Sequence, residues 1–355
     1  MQPRDLSAHV PYEAGRGIEE TARELGVAPE ELTKLSSNES AWGPSPKAVV
    51  AIREAATSVH AYPKASHTDL TAKLADQFDV ADDQVWLANG GDGALDYLAR
   101  ALLAPGEAVL VSDPGFAYYA MSARFHHGRV RSYPLSKSDG FTQRADNVLE
   151  HYDGERVVYV TSPHNPTGTE MPLSEVAALA DGTDEETLVV VDEAYAEFSE
   201  SPSAVELVRE RDDVAVLRTF SKVYGLAGCR LGYALVPEDW ADAYARVNTP
   251  FAASELACRA GIAALDDEEH VRKTVEGSRE ACEYMYDNLD CRTFESHGNF
   301  VLAEVGDGTR VFEAAKREGV IVRDTTSFGL PECVRITCGT PAMTERAVDV
   351  LNEVV

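Results

Sequence analysis

Six short apolar runs, at residues 85–88, 108–111, 157–160, 188–191, 214–217 and 231–236, punctuate the chain with helix-length stretches between them. Runs of this kind, rich in valine and lacking polar alternation, predict strands buried on both faces. Their spacing predicts a mostly parallel sheet joined by crossover helices. One helix is explicit: Leu95, Leu98, Ala99 and Leu102 share a face before Pro105 and Gly106 end the pattern, so a helix is expected to begin at Ala94. The expected fold class is α/β, a mostly parallel central sheet flanked by helices.

After about Pro250 the pattern changes. Longer helical stretches are followed by apolar segments at 300–304, 320–322 and 334–337, with a helix ending near Gly319. Helices with a few alternating strands suggest a smaller α+β domain. The predicted organisation is a segment 1–45 packing with the small domain, a large domain 46–250 and a small domain 251–355. A chain of 355 residues, 44% hydrophobic, has enough material for two cores.

Composition narrows the possible partners. Sixty acids face thirty-two bases, giving a formal charge of -28, and a field of that sign repels nucleic acid and anionic lipid. No run of about 18 apolar residues is present, and the N-terminus lacks a signal-peptide core, so a cytoplasmic protein without a membrane partner is expected. Only eight of the bases are lysines, and the acids fall in scattered clusters such as 181–186 and 266–269. Distributed acidity of this kind points to adaptation to high salt, where screening relieves self-repulsion. An ordinary acidic enzyme is the alternative. All six cysteines lie from Cys229 onward without a C-x-x-C pair or a zinc-type spacing, which predicts reduced structural thiols and no metal site.

Candidate chemistry sits just after the apolar runs, where open α/β sheets collect ligands. Asn89-Gly-Gly-Asp-Gly93 lets backbone approach a phosphate, although a plain glycine turn reads equally from those residues alone. Phe116, in Ser112-Asp-Pro-Gly-Phe116, can cover a flat ring or serve as a core aromatic beside Tyr118 and Tyr119. In Ser162-Pro-His-Asn-Pro-Thr-Gly168 two prolines fix the turn that carries Asn165, and His164 reads as a turn residue. Asp192, ending a fully apolar strand in Val191-Asp-Glu-Ala-Tyr195, needs a cation or donor, either a protonated pyridine nitrogen or a metal ion; Tyr195 offers a phenolic oxygen. Finally, Ser221-Lys-Val-Tyr-Gly-Leu-Ala-Gly-Cys-Arg230 gathers a hydroxyl, an amine able to form a Schiff base and a guanidinium around one turn. That set suits a phosphorylated aldehyde cofactor.

Together these motifs resemble the fold-type I pyridoxal 5'-phosphate enzymes of the class I/II aminotransferase superfamily. A narrower likeness, to histidinol-phosphate aminotransferases, comes from His9-Val-Pro-Tyr12, Leu35-Ser-Ser-Asn-Glu-Ser40, Gly43-Pro-Ser-Pro46, Ala61-Tyr-Pro63 and Gly319-Val-Ile-Val-Arg-Asp324, and spans His9 to the C-terminus. The resemblance implies Lys222 as the Schiff-base lysine, Asp192 on the pyridinium nitrogen, and Asn165 with Tyr195 on the ring oxygen. It implies Phe116 stacked on the ring, and a phosphate held by Asp92, Gly93, Ser221, Arg230 and Tyr62 of a neighbouring subunit, hence a homodimer. Tyr12 and Asn38 would face the substrate. Arg323 and Arg335 offer bidentate forks for a carboxylate or phosphate, with an ion pair to Asp324 as the bland reading of Arg323. Serine and alanine stand at 40 and 41 where family members often have Asn-Pro, and Phe116 where many have tyrosine.

The expected reaction is amino transfer between glutamate and imidazole-acetol phosphate. An aromatic or broad-specificity aminotransferase and a threonine-phosphate decarboxylase are rivals on the same fold. A cofactor-binding regulatory protein is the non-catalytic one.

Overall fold

The computed structural model describes residues 6–7, 9, 17–64 and 67–355. A two-residue strand, β1 (Thr33–Lys34), precedes β2 (Val85–Ala88), β3 (Ala108–Asp113), β4 (Arg129–Pro134), β5 (Val157–Thr161), β6 (Leu188–Asp192), β7 (Val214–Thr219) and β8 (Gly232–Leu235). Strands β2 to β8 form one seven-stranded sheet in the order β2-β8-β7-β6-β5-β3-β4. All neighbours are parallel except β8, which is antiparallel to both β2 and β7. The run at 231–236 is the reversed strand: the segment 220–231 between it and β7 holds no α-helix, and the chain turns back antiparallel instead of crossing over. Strand β4 escapes the apolar pattern because it is an edge strand with four of its six residues exposed.

Side chains alternate between two covered faces. Leu87, Leu110, Val158, Val189 and Val216 enter one apolar cluster, and Trp86, Val109, Tyr159, Val190 and Leu217 the other. The first face carries the helices Thr68–Phe78, Leu173–Gly182 and Glu255–Leu265; the second carries Gly90–Leu102, Ala117–Phe125 and Ala241–Val247. Burial on both sides is what continuous valine-rich runs require. The helix Glu255–Leu265 lies beyond position 250 but inserts Ala257, Ala260 and Ala264 into this first core.

A second sheet follows: β9 (Arg292–Phe294), β10 (Phe300–Glu304), β11 (Val320–Ile321), β12 (Arg323–Asp324) and β13 (Cys333–Thr337), of which β12-β13-β10-β9 form an antiparallel sheet in that order. Val301, Ala303, Val334 and Ile336 enter a second core with Met285, Val311, Val348 and Leu351 from the helices Glu268–Asn288, Gly308–Arg317 and Pro341–Val354. Strand β11 pairs in parallel with β1, and Leu35 joins the second core, so the N-terminal segment is stitched there. By strand alternation Arg335 lies on the opposite face from Val334 and Ile336. Its register neighbours are Leu302 and Arg323.

One expectation about surface residues needs adjusting. Asp266, Glu268 and Glu269 are exposed, but Asp267 is buried, with its Oδ2 accepting from Ser45 Oγ at 2.5 Å. The six cysteines are unpaired thiols, and burial pushes Cys258 and Cys333 up to about 12, which makes them inert at neutral pH.

Candidate active site

The C-terminal ends of β2, β5, β6 and β7 lie along one edge of the sheet, and β8 starts there. A cavity of about 340 Å³ opens at this edge, lined by Asp92, Phe116, Asn165, Asp192, Tyr195, Ser221, Lys222, Arg230, Asn38, Arg323 and Arg335. Its size suits a small ligand. Three expected residues stand apart. Tyr62 is outside the lining and 84% exposed, stacked on Phe251 at 4.9 Å. Gly93 is not among the lining residues, and a Cβ added to it would meet Ala88 Cβ at 3.3 Å. Tyr12 lies outside the described residues.

The glycine-rich segment after β2 is the first turn of a helix, not a loop before it: the helix runs Gly90–Leu102, starting four residues earlier than its apolar face indicates. Glycine is a poor helix former, and tertiary packing overrides that preference here. A Cβ on Gly232 would come within 2.5 Å of the Gly90 carbonyl carbon and the Gly91 nitrogen, and one on Gly90 would meet Arg230 Nη2 at 2.5 Å. The helix start can therefore pack directly on β8 with the Arg230 guanidinium above it. Unpaired N–H groups at a helix start beside a guanidinium form an anion cradle. Arg230 Nη2 donates to Asp92 Oδ2 at 3.1 Å. Ser221 Oγ accepts from Thr219 at 3.0 Å, which leaves its own proton free to be donated.

Asp192 is buried at the centre. Tyr119 OH donates to its Oδ2 at 2.7 Å and the Ala194 amide to its Oδ1 at 3.0 Å. Burial raises its pKa to about 6, against the lowering effect of those bonds and of Lys222. Among the described residues no group of three or more His, Cys, Asp or Glu is placed to hold a metal ion. His164 is fully buried and bonded to Ser112 and Thr167, and burial pushes its imidazole down to about 3. It is a neutral structural residue of the turn.

Lys222, three residues beyond the end of β7, lines the cavity. Its Nζ donates to the Ser37 carbonyl at 3.3 Å and sits 5.5 Å from the centre of the Tyr195 ring. Asn38, in a left-handed conformation, donates from Nδ2 to Tyr195 OH at 3.0 Å and accepts at Oδ1 from Thr337. It touches the cavity, but its amide is spent on orienting Tyr195. Asn165 Oδ1 accepts from Arg335 Nη1, so the Asn165 amide nitrogen is the end with protons to donate. Arg335 also donates to the Ser36 carbonyl at 3.0 Å and lies 5.3 Å from the Phe300 ring centre. Arg323 donates to Ser327 at 3.2 Å over the Phe328 ring, whereas the Asp324 carboxylate accepts from Thr309 and Thr326.

The donor set fits pyridoxal 5'-phosphate. An amine, a buried acid, an aromatic ring and an anion cradle surround one cavity, and the cradle is space that a Cβ at Gly90 would fill. The model of the family "Aminotransferase class I and II" matches residues 30–351. The chain belongs to this family. It is 70% identical to the histidinol-phosphate aminotransferase of Natronomonas pharaonis, over 99% of each chain. With that of Haloarcula marismortui it shares 66%, over 100% of this chain and 99% of the relative. Among solved structures, the histidinol-phosphate aminotransferase of Sinorhizobium meliloti in complex with pyridoxal 5'-phosphate superposes with a TM-score of 0.89 at 27% identity, covering 98% of this chain and 96% of the other. The fold is thus that of the aminotransferases, as the strand-end motifs imply.

Sequence reasoning passed over Tyr119, Thr161 and Phe328. Tyr119 was legible only as a core aromatic beside Phe116, and Thr161 only as the last residue of a strand. Both turn out to carry polar contacts of the site.

Proposed function

We propose that this aminotransferase moves an amino group between glutamate and imidazole-acetol phosphate, giving L-histidinol phosphate in histidine biosynthesis, with pyridoxal 5'-phosphate as its cofactor. The observation that carries the reading is 70% identity along the whole chain to a histidinol-phosphate aminotransferase. The cavity supports it. Lys222 would hold the cofactor covalently, Asp192 would face its ring nitrogen, Asn165 and Tyr195 its ring oxygen, and Phe116 its ring face. Asp92 and Gly93 backbone, Ser221 and Arg230 would hold its phosphate.

When bound, the cofactor supplies a conjugated ring that takes up the electron pair left by the departing α-proton. The chain's own residues do the rest. Asp192 keeps a negative charge beside the ring nitrogen, which favours the protonated ring. Lys222 Nζ, once free, removes the α-proton and returns it on the far side of the exchange. Arg335 and Arg323, neighbours in register on one strand face, bind the anionic ends of the substrates. Two guanidinium forks suit a carboxylate and a phosphate in alternation.

The assignment of acceptor is tested by comparing amino acceptors on purified protein. Charge-assisted hydrogen bonds to the phosphate are worth about 1.5–3 kcal/mol each. The kcat/KM for imidazole-acetol phosphate is therefore expected to exceed that for phenylpyruvate by roughly 10- to 100-fold. Equal values would favour the aromatic rival, and carbon dioxide release from threonine phosphate the decarboxylase.

The active form in this reading is a cytoplasmic homodimer in which Tyr62 reaches the partner's phosphate site. Support comes from exposed apolar side chains, Tyr62 stacked on Phe251 together with Val59 and Val50, each 43–84% accessible in the single chain.

Salt dependence belongs to the same proposal. The acids at 181, 184, 185 and 186 are all exposed, as expected for a solvated acidic face, and the Natronomonas and Haloarcula relatives come from halophiles. The melting temperature is expected to rise by several degrees between dilute buffer and molar KCl as screening relieves repulsion. Equal melting temperatures would remove the salt-adaptation reading.

A further inference from the structure

We propose that Tyr119, backed by Thr161, is a positioning residue for Asp192: its hydroxyl grips one carboxylate oxygen, keeping the acid ionised and fixed in orientation at the cavity wall. The inference rests on the reading of Asp192 as the partner of the cofactor's ring nitrogen.

The geometry is a relay of two hydroxyls ending on a carboxylate. Thr161 and Asp192 are paired in register on the adjacent parallel strands β5 and β6. Tyr119, from the helix Ala117–Phe125, reaches both, with its OH 2.7 Å from Asp192 Oδ2 and 2.8 Å from Thr161 Oγ1. A phenol has one proton, and the carboxylate is the stronger acceptor, so Tyr119 donates to Asp192 and Thr161 donates to Tyr119. Burial and the neighbouring Asp192 charge raise the Tyr119 phenol well above its ordinary range, so it remains a donor throughout the working pH range. The ring cannot swing away: it is 1% exposed, stacked on Tyr159 at 4.8 Å with planes 8° apart, and meets Phe116 edge-on at 5.5 Å.

The charged and titratable groups facing Asp192 are Tyr119, Asp92 and Lys222. Burial and Asp92 favour the neutral acid. Lys222, the Ala194 amide and the Tyr119 hydroxyl favour the carboxylate. Among the described residues Tyr119 is the only neutral side-chain donor in that balance, and it sits on the same helix turn as Phe116, so one short segment would serve both the ring face and the acid.

The test uses pyridoxine 5'-phosphate, which lacks the aldehyde and cannot bond to Lys222. Its dissociation constant is measured between pH 5 and 9 on the full chain freed of cofactor, for wild type, Asp192→Asn, Tyr119→Phe and Thr161→Val. Sign follows from the acid: with Asp192 ionised the pyridinium is held, so wild-type affinity falls as pH drops through about 6, beyond any fall shared with Asp192→Asn. Removing a hydrogen bond to a charged group is expected to move that inflection up by about one to two pH units in Tyr119→Phe. Thr161→Val moves it the same way by less, through the weakened donor.

An inflection at the wild-type position in a folded Tyr119→Phe overturns the proposal. Should that variant fail to melt cooperatively, Thr161→Val decides, and no shift there overturns it as well. If wild type and Asp192→Asn give the same curve, the reading of Asp192 itself has failed, and this inference falls with it.

Discussion

Replacing Lys222 with alanine is expected to lower turnover by on the order of a million-fold, the scale of loss when a nucleophile central to covalent catalysis is removed. Lys222 has two tasks in the proposed reaction, holding the cofactor and moving the proton, and among the described residues no second lysine lines the cavity. The other described lysines cannot substitute. Lys137, for example, is committed to Glu304 and Glu332 at 2.7 and 2.6 Å, and Lys316 to Glu24 and Glu313. The same variant should still take up pyridoxal 5'-phosphate through the anion cradle, but without the absorbance band of the lysine-bound form. Normal transamination by Lys222→Ala would refute the assignment of this residue.

The second large effect is at Asp192. Asparagine there is nearly isosteric: its oxygen can accept from the Ala194 amide, and its amide nitrogen can donate to the Tyr119 oxygen, whose own proton then turns to Thr161, so the fold is expected to survive. What is lost is a charge beside the ring nitrogen. Preorganised charge at a site where charge develops is worth about 3 kcal/mol, so kcat should fall roughly a hundred-fold or more. Single-turnover half-reaction with glutamate isolates this step from product release. A rate equal to wild type would mean that Asp192 has no electrostatic part in the reaction.

These two residues were legible in the sequence for a physical reason: each lies in the polar segment that follows a continuous apolar run, Asp192 at once and Lys222 five residues on, and the sheet gathers such ends on one edge. Asn165, Ser221 and Arg230 follow the same logic, and all five line the cavity. The buried strands were legible because burial on both faces leaves an unbroken apolar run.

Elements whose character is set by tertiary packing were not. Strand β4 is mostly exposed and reads as polar, β1 is only two residues long, and the helix at Gly90 starts in glycines that local propensity assigns to a loop. The helix Glu255–Leu265 carries an alanine-rich face, which does not say which core it will enter. Side-chain partners were hidden for the same reason. Asn38 lines the cavity, but its bond to the Tyr195 hydroxyl, 157 positions along the chain, was not foreseen. Tyr119 and Asp192 are 73 residues apart. Such pairings depend on how strands and helices dock, which periodicity does not encode.

The account turns on one amine and the cofactor it would carry. Purified chain incubated with pyridoxal 5'-phosphate, reduced with borohydride, digested and mapped by mass spectrometry should carry one pyridoxyl group, on the peptide containing Lys222. A label on any other lysine, or no label at saturating cofactor, would contradict it.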